Sequence, residues 1–136
     1  MITVVAALIE TDGKILVCQR RRADTFGLMW EFPGGKLKLG ETPEQALERE
    51  LHEELGVRAE IGKEIFRTRH QYAELSEPID LIFFAATVTT ADLRNQAFET
   101  MEWRARSALP ELNFLPADRE LIENLRSGIL KVPKAD

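Results

Sequence analysis

The strongest constraint on this chain is the segment ETPEQALERELHEELGV, which covers residues 41–57. Thr42 is a natural helix N-cap, Gln45 completes a capping box, and Pro43 suits the first helical position. Gly56 is the residue type that commonly follows the end of a helix. The segment therefore predicts one amphipathic helix between these caps, and its buried stripe recurs every four residues at Leu47, Leu51 and Leu55.

The same helix carries a group of like charges. Glu50, Glu53 and Glu54 lie one, three and four residues apart, and at about 100° per residue they share a face beside the leucine stripe. Like charges at three- and four-residue spacing repel each other, and no Lys or Arg follows Glu50 or Glu53 at the fourth position. Mg²⁺ commonly binds a few carboxylates together with substrate phosphates. A metal site would offset the repulsion; the alternative is a solvated acidic face without a metal.

Composition indicates a globular protein. The chain has 136 residues, of which 44% are hydrophobic and 30% charged, so we expect one domain over residues 1–136. A net charge of -5 argues against binding to nucleic-acid polymers, although single nucleotides remain compatible with it. We see no membrane-spanning run and no secretory signal. Cys18 is the only cysteine, which excludes an intrachain disulfide and favours a cytoplasmic location.

Strand-like runs precede the helix. ITVVAALIE (residues 2–10) and KILVCQR (residues 14–20) flank Asp12-Gly13, a dipeptide that predicts a hairpin. Pro33 is followed by two glycines, which mark a turn where the backbone can approach a ligand closely.

Further elements follow the helix. Residues 64–73 and 79–88 are apolar and β-branched enough for two strands, and residues 99–103 predict a short one. A last helix is expected from about Pro116, with Leu121, Ile122 and Leu125 facing inward. Strands combined with helices predict an α/β layered domain.

The helix segment and the loop before it resemble the Nudix box of the nucleoside-diphosphate-linked hydrolases. Five residues separate Gly35 from Glu41, and seven separate Glu41 from RELHEELGV, residues 49–57. WEFPGGK, residues 30–36, overlaps the start of the box and resembles the MutT-like subgroup. The dipeptide QR (residues 19–20) and the tripeptide PAD (residues 116–118) extend the likeness along the chain. The matching box positions are Gly35, Glu41, Arg49, Glu50, Glu53, Glu54 and Gly56, with aliphatic Leu51 and Val57.

This resemblance implies both a fold and a reaction. The fold is a Nudix-type α/β/α sandwich with a mixed β-sheet, in which the box forms loop–helix–loop. The reaction is hydrolysis of a nucleotide's diphosphate linkage by water, with Mg²⁺ or Mn²⁺ as cofactor. For MutT-like members, the implied products are a nucleoside monophosphate and pyrophosphate, with attack at the β-phosphorus.

The resemblance also assigns roles by position. It implies metal ligation by Glu50, Glu53, Glu54 and the Gly34 carbonyl. It makes Arg49 the residue that orients Glu50, and either Glu50 or Glu53 the base that accepts the proton of water. Glu41 would brace the loop.

One position departs from the family pattern. Family members often supply a further glutamate from a loop before a Trp, but the residue six before Trp103 is Ala97. Glu99 lies four residues before Trp103, and a shorter loop could bring it to the metal site, so it is our candidate for this further ligand. The alternative is an exposed loop charge.

Candidates for substrate contact surround the Pro-Gly-Gly turn. Arg20 and Arg21 are candidates for phosphate or base contact, and a solvated basic patch is the alternative. Lys36 is a candidate for phosphate contact. Phe32 is expected in the core or in the pocket wall, and Gly34 at a close backbone approach to substrate.

Asp118 is the sharpest indication of which base is bound. In MutT-like enzymes that act on oxidised dGTP, the matching Pro-Ala is followed by Asn, which donates and accepts, whereas an ionised Asp only accepts. An acceptor suits the cytosine amino group, or the N–H edge of a guanine, better than a guanine carbonyl, and PAD resembles the CTP pyrophosphohydrolase branch. The alternative is a helix N-cap or first-turn acid.

The expected function is therefore a Mg²⁺-dependent nucleoside triphosphate pyrophosphohydrolase acting on CTP, dCTP, 5-modified relatives or 8-oxo-dGTP. A hydrolase of nucleotide sugars or dinucleoside polyphosphates is an alternative from the same family. A catalytically weak Nudix-like binding module is another, although such a module would be expected to lack some box acids. We expect a monomer or homodimer that binds neither nucleic-acid polymers nor membranes.

Overall fold

The computed structural model describes residues 1–133. Its elements within that range are β1 (Ile2–Leu8), β2 (Glu10–Thr11), β3 (Lys14–Gln19), β4 (Trp30–Glu31), β5 (Gly34–Lys36), α1 (Pro43–Leu55), β6 (Glu60–His70), β7 (Ile79–Thr87), β8 (Thr100–Ala105) and α2 (Arg119–Ser127). Short 3₁₀ helices cover Thr90–Asp92, Arg106–Glu111 and Pro116–Asp118. None of the helices in this part of the chain is long and apolar enough to cross a bilayer.

The strands form two sheets. The first has the order β5-β1-β7-β6. Its two central strands, β1 and β7, are parallel, whereas β5 is antiparallel to β1 and β6 is antiparallel to β7. The second is antiparallel, with β3 paired to β2, β4 and β8. The predicted α/β class with a mixed sheet is confirmed.

The first predicted hairpin is much shorter than expected. Asp12 (φ 52°) and Gly13 (φ 77°) form the tight turn, but only Glu10 and Thr11 pair across it with β3. The expectation of one strand over residues 2–10 is wrong, because Ile2–Leu8 lies between β5 and β7 in the first sheet. A continuous apolar run is typical of a strand that is covered on both faces, which is where β1 lies.

The first sheet is packed between the two α-helices. Val5 and Ala7 of β1 belong to a core cluster with the leucines of α1, whereas Ala6 and Leu8 belong to a second cluster with α2. Successive residues of a strand point to opposite faces, so β1 contributes to both cores. The predicted inward residues of the helices are all buried: Leu47, Leu51, Leu55, Leu121, Ile122 and Leu125.

Helix α1 begins and ends as predicted. The Gln45 N–H donates to Thr42 Oγ1 (3.1 Å), and the Thr42 N–H donates to Gln45 Oε1 (2.9 Å), which completes the capping box. Gly56 follows the helix in the left-handed conformation at φ 65°. The C-terminal helix starts three residues later than expected, at Arg119, because Pro116–Asp118 forms a 3₁₀ turn.

The capping box gives a stability prediction. Thr42→Ala should lower the free energy of unfolding by about 1 kcal/mol, the usual cost of losing such a cap, and the melting temperature by about 4 °C. Calorimetry would measure both. Thr89→Ala is the matched control, because Thr89 precedes the 3₁₀ helix Thr90–Asp92 without a side-chain capping bond. An equal loss in both variants would contradict the assignment.

Candidate active site

A cavity of about 350 Å³ opens where β1, the Pro-Gly-Gly turn and the start of α2 meet. Its size falls in the range of small-molecule sites. It brings together six of the residues that the sequence nominated: Arg20, Phe32, Gly34, Lys36, Glu54 and Asp118.

Two glycines let the turn approach its neighbours closely. A Cβ on Gly34 would lie 1.9 Å from the carbonyl oxygen of Val5, and a Cβ on Gly35 would lie 2.4 Å from the carboxyl carbon of Glu50. A Cβ on Gly34 would overlap the backbone of β1, and a Cβ on Gly35 would displace the Glu50 carboxyl from its present position. The Gly34 N–H donates to Glu54 Oε1 at 2.9 Å, so the turn is bonded directly to helix α1.

Arg49 joins the loop before α1 to the helix. Its Nε and Nη2 atoms donate to the two carboxylate oxygens of Glu41 at 2.7 and 2.9 Å, and Nη2 also donates to the carbonyl oxygen of Lys36 at 3.1 Å. Glu41 also accepts the N–H of Lys38 (2.9 Å). The bonds from Arg49, with that backbone bond, lower the pKa of Glu41 to about 2. Glu41 therefore braces the loop by direct contact.

The same guanidinium contacts the carboxylates of the helix. Arg49 Nη1 donates to Glu50 Oε1 at 2.8 Å and lies 3.4 Å from Glu53 Oε2. Glu50 is partly buried, whereas 52% of the Glu53 side chain is exposed. Arg49 thus holds Glu50 in one orientation and leaves Glu53 facing solvent.

Glu54 lies at the inner end of this acidic face. Burial raises the pKa of Glu54 to about 9, and the nearby carboxylates of Glu31 and Glu50 raise it as well. The Gly34 N–H and Arg20 oppose the shift. The charges of Glu31 and Glu50 therefore both act on Glu54 where the helix meets the cavity.

Asp118 is buried without a hydrogen-bond partner at Oδ2. The residue is 4% exposed, lines the cavity and makes no side-chain capping bond to α2. Burial raises the pKa of Asp118, and the charge of Glu31 raises it further. Asp118 therefore occupies the N-cap position of α2 without making the side-chain bond by which an N-cap residue stabilises a helix. An unpartnered buried carboxyl is costly, and one that lines a cavity is suited to a ligand contact.

Arg20 reaches the cavity, and two of its three side-chain nitrogens already donate to neighbouring oxygens. Nη1 donates to both carboxylate oxygens of Glu31 (3.1 and 3.0 Å), and Nε donates to the carbonyl oxygen of Thr25 (2.7 Å). Burial raises the pKa of Glu31, although the Arg20 charge lowers it. Arg20 therefore fixes the loop that follows β3, in addition to facing the cavity.

Five other nominated residues are not part of the cavity lining: Arg21, Arg49, Glu50, Glu53 and Glu99. Arg21 is exposed and is not part of the cavity lining, and Lys36 is exposed while still bordering it. Glu99 is also exposed; its N–H donates to the carbonyl oxygen of Gln19 at 2.9 Å, which fixes the backbone just before β8. The structure does not place Arg21 or Glu99 in the cavity wall.

Comparison with known proteins identifies the family. Residues 1–125 match the family model described as the NUDIX domain. The chain belongs to the Nudix family.

Similar proteins in this family have been named for nucleotide hydrolysis. The chain is 39% identical over 124 residues to the CTP pyrophosphohydrolase of Escherichia coli (strain K12), covering 90% of both chains. It is 35% identical over 126 residues to the 8-oxo-dGTP diphosphatase of Haemophilus influenzae, covering 92% of this chain and 91% of that one. The crystal structure of a MutT NUDIX hydrolase from Burkholderia pseudomallei aligns with a TM-score of 0.78 at 30% identity, over 90% of this chain and 95% of that one.

Nudix hydrolases generally use a divalent metal, and the donors present here suit one. The carboxylates of Glu50, Glu53 and Glu54 and the Gly34 carbonyl are oxygen ligands of the type that hard cations prefer. Gly35 leaves open the space beside the Glu50 carboxyl. Within residues 1–133, no three acidic, histidine or cysteine side chains are already gathered as a metal-binding group. Instead, Glu50 accepts from Arg49 and Glu54 accepts from Gly34.

The structure adds residues that sequence reasoning missed in this Nudix domain. Glu31 stands in WEFPGGK between two buried aromatic residues, and that position is the signal that could have found it. Phe26 and Tyr72 also line the cavity. They lie in the loops after β3 and β6, where no periodic pattern indicates which side chains point inward.

The buried Asp118 carboxyl gives a pH-dependent prediction. Its pKa in the folded chain is above the unfolded value near 3.9, so the folded state binds more protons and this group destabilises the fold as pH rises above about 4. Asp118→Asn should therefore melt above wild type at pH 7.5, by about 4 °C for each kcal/mol gained. The difference in melting temperature between Asp118→Asn and wild type should shrink steadily as the pH is lowered towards 5.

Calorimetry across pH 5–8 would test this, with Asp92→Asn as a control because Asp92 is an exposed acid. A difference between Asp118→Asn and wild type that stays constant with pH would contradict the assigned burial cost.

Proposed function

We propose that this Nudix hydrolase is a Mg²⁺-dependent nucleoside triphosphate pyrophosphohydrolase that releases a nucleoside monophosphate and pyrophosphate. One observation carries the proposal: a single cavity holds both the Gly34–Glu54 bond of the box and the unpartnered carboxyl of Asp118. A phosphate chain would lie against the first, and a base would meet the second. The names of the similar proteins support the same reaction class.

Cytidine nucleotides are the first candidate substrates. An ionised Asp118 only accepts hydrogen bonds, and the exocyclic amino group of cytosine is a donor of that kind. CTP, dCTP and 5-modified relatives share this group. The likeness to a protein named CTP pyrophosphohydrolase agrees with this choice.

Oxidised guanine is the second candidate, and the raised pKa of Asp118 favours it. A neutral carboxyl donates as well as accepts, which allows it to pair with a base that offers a carbonyl beside an N–H. Proteins named 8-oxo-dGTP diphosphatase are among the relatives.

The chain's own groups account for the proton and the substrate position. Arg49 donates to Glu50 and fixes its carboxylate, and either Glu50 or Glu53 takes the proton from the attacking water. The water oxygen joins the β-phosphorus while the bond from that phosphorus to the α–β bridging oxygen breaks, so the monophosphate leaves. Lys36 at the rim is the candidate phosphate contact. When bound at Glu50, Glu53, Glu54 and the Gly34 carbonyl, a divalent cation would neutralise phosphate oxygens and lower the pKa of water.

The remaining expectations belong to the same proposal. We infer Mg²⁺ as the working ion because it combines readily with carboxylates and substrate phosphates, with Mn²⁺ as its substitute. Glu99 remains a candidate further ligand, and Arg21 a candidate substrate contact at the surface. A single domain, a monomer or homodimer, and a cytoplasmic location complete the proposal.

The first experiment is pyrophosphate release with Mg²⁺ from CTP, dCTP, 5-methyl-dCTP, dGTP and 8-oxo-dGTP. We expect turnover with the cytidine set ahead of unmodified dGTP. Asp118→Asn should reorder the substrates while its turnover of the best one stays similar. Release from none of the five, combined with turnover of a nucleotide sugar or a dinucleoside polyphosphate, would overturn the proposal.

Removing one proposed ligand should separate catalysis from folding. Glu53→Gln should reduce kcat at least ~100-fold, more than is usual for residues that only support a ligand. The melting temperature should change by less than about 2 °C, because exposed substitutions seldom alter stability. Glu48→Gln is the matched control, since Glu48 is exposed on the same helix and lies outside the box glutamates. Activity near wild type in Glu53→Gln would contradict the metal-ligand role.

A further inference from the structure

The loop after β3 holds two bulky residues in a backbone conformation that such residues rarely adopt. Phe26 has φ 59° and Leu28 has φ 66°, both in the left-handed region. Between them, a Cβ on Gly27 would lie 2.3 Å from the carbonyl oxygen of Arg22, so the loop closes tightly on itself. Asn or Gly would adopt this conformation more easily than Phe or Leu does.

The surroundings hold this conformation in place. Arg20 Nε donates to the carbonyl oxygen of Thr25 at 2.7 Å, and Gln19 Nε2 donates to that of Leu28 at 3.1 Å. The Leu28 N–H donates to the carbonyl oxygen of Arg20 at 3.0 Å. Unfavourable backbone conformations that the surroundings fix in this way are concentrated at functional sites.

The conformation places the Phe26 ring against Tyr72. The two ring centroids are 4.9 Å apart at an interplanar angle of 44°. The ring of His70 also packs against Tyr72, with the ring centroids 4.4 Å apart. We call Phe26 and Tyr72 the aromatic bridge, because they join the loop after β3 to the segment after β6.

The aromatic bridge is anchored beside the residue proposed to read the base. The Tyr72 hydroxyl accepts the N–H of Ala117 at 3.0 Å in a buried position, and Ala117 immediately precedes Asp118. Phe26, Tyr72 and Asp118 all line the same cavity. The cavity is close to the lower end of the size range of ligand sites, so the position of one ring affects what it admits.

We propose that Phe26 is a specificity-determining residue: its ring, fixed against Tyr72, narrows the base pocket and favours the single ring of a pyrimidine over the fused rings of a purine. This inference rests on the proposed function, because it assigns the base selectivity of that same cavity. It also gives the unfavourable backbone at Phe26 a use, since Asn or Gly there would relax the loop but remove the ring.

Two substitutions in the same loop separate the ring from the backbone. Phe26→Asn removes the ring and suits the left-handed conformation. Leu28→Asn makes the same exchange at a residue with the same conformation that does not line the cavity. Phe26→Gly replaces Phe26→Asn if the latter fails to fold.

The ratio of kcat/KM for CTP to that for 8-oxo-dGTP is the first readout. Phe26→Asn should lower this ratio about tenfold, a normal effect for reshaping an apolar pocket. Leu28→Asn should stay within about twofold of wild type, because it leaves the aromatic bridge intact. An unchanged ratio in Phe26→Asn, an equal shift in Leu28→Asn, or a wild type that prefers purines would overturn the inference.

Calorimetric titration with CMP and dGMP without metal gives a readout independent of turnover. Wild type should bind CMP more tightly, and Phe26→Asn should lose most of that preference. If wild type hydrolyses the panel while Phe26→Asn keeps the wild-type preference in both assays, the selectivity role fails and the proposed function stands. If wild type neither hydrolyses nor binds any nucleotide, both fail.

Discussion

The guanidinium of Arg49 is the contact on which the candidate active site depends. Its planar set of donors binds the carboxylate of Glu41, the carbonyl oxygen of Lys36 and the carboxylate of Glu50 at once. A lysine has no comparable fork of donors and would not hold loop and helix together in this way. Without Arg49, Glu41 and Glu50 would each lose their charged partner, and the loop would lose its side-chain bonds to the middle of α1.

The candidate active site also depends on the two glycines, Gly34 and Gly35, in the turn before the helix. Gly34 lies so close to the Val5 carbonyl oxygen that a Cβ is excluded, and a Cβ on Gly35 would displace the Glu50 carboxyl. The turn therefore reaches Glu54 through a backbone N–H. Arg49 fixes one side of the acidic face and the turn fixes the other, so two short segments of sequence hold in place carboxylates that repel each other.

The parts of the fold that could be predicted are those governed by local chemistry. The caps of α1, its leucine stripe and the spacing of the Nudix box depend on neighbours a few residues away, and the structure has them as expected. The separation of β1 from the hairpin could not be predicted, because an apolar run shows that a strand is buried but does not show which strands cover it. The ring contact between Phe26 and Tyr72 joins two loops far apart in sequence, and only tertiary structure specifies it. Asp118 is intermediate: the sequence nominated it and the structure places it in the cavity lining, whereas its burial was not visible in the sequence.

The bond between the Gly34 N–H and Glu54 has a consequence for how such a molecule can diversify. The acidic face of α1 and the wall formed by Phe26, Tyr72 and Asp118 come from different segments, and they meet where that bond closes the cavity. A backbone N–H is present whatever the side chains around it, so the junction tolerates replacement of the wall. Descendants of one ancestor can thus exchange the residues of this wall while inheriting the acidic face of α1 unchanged.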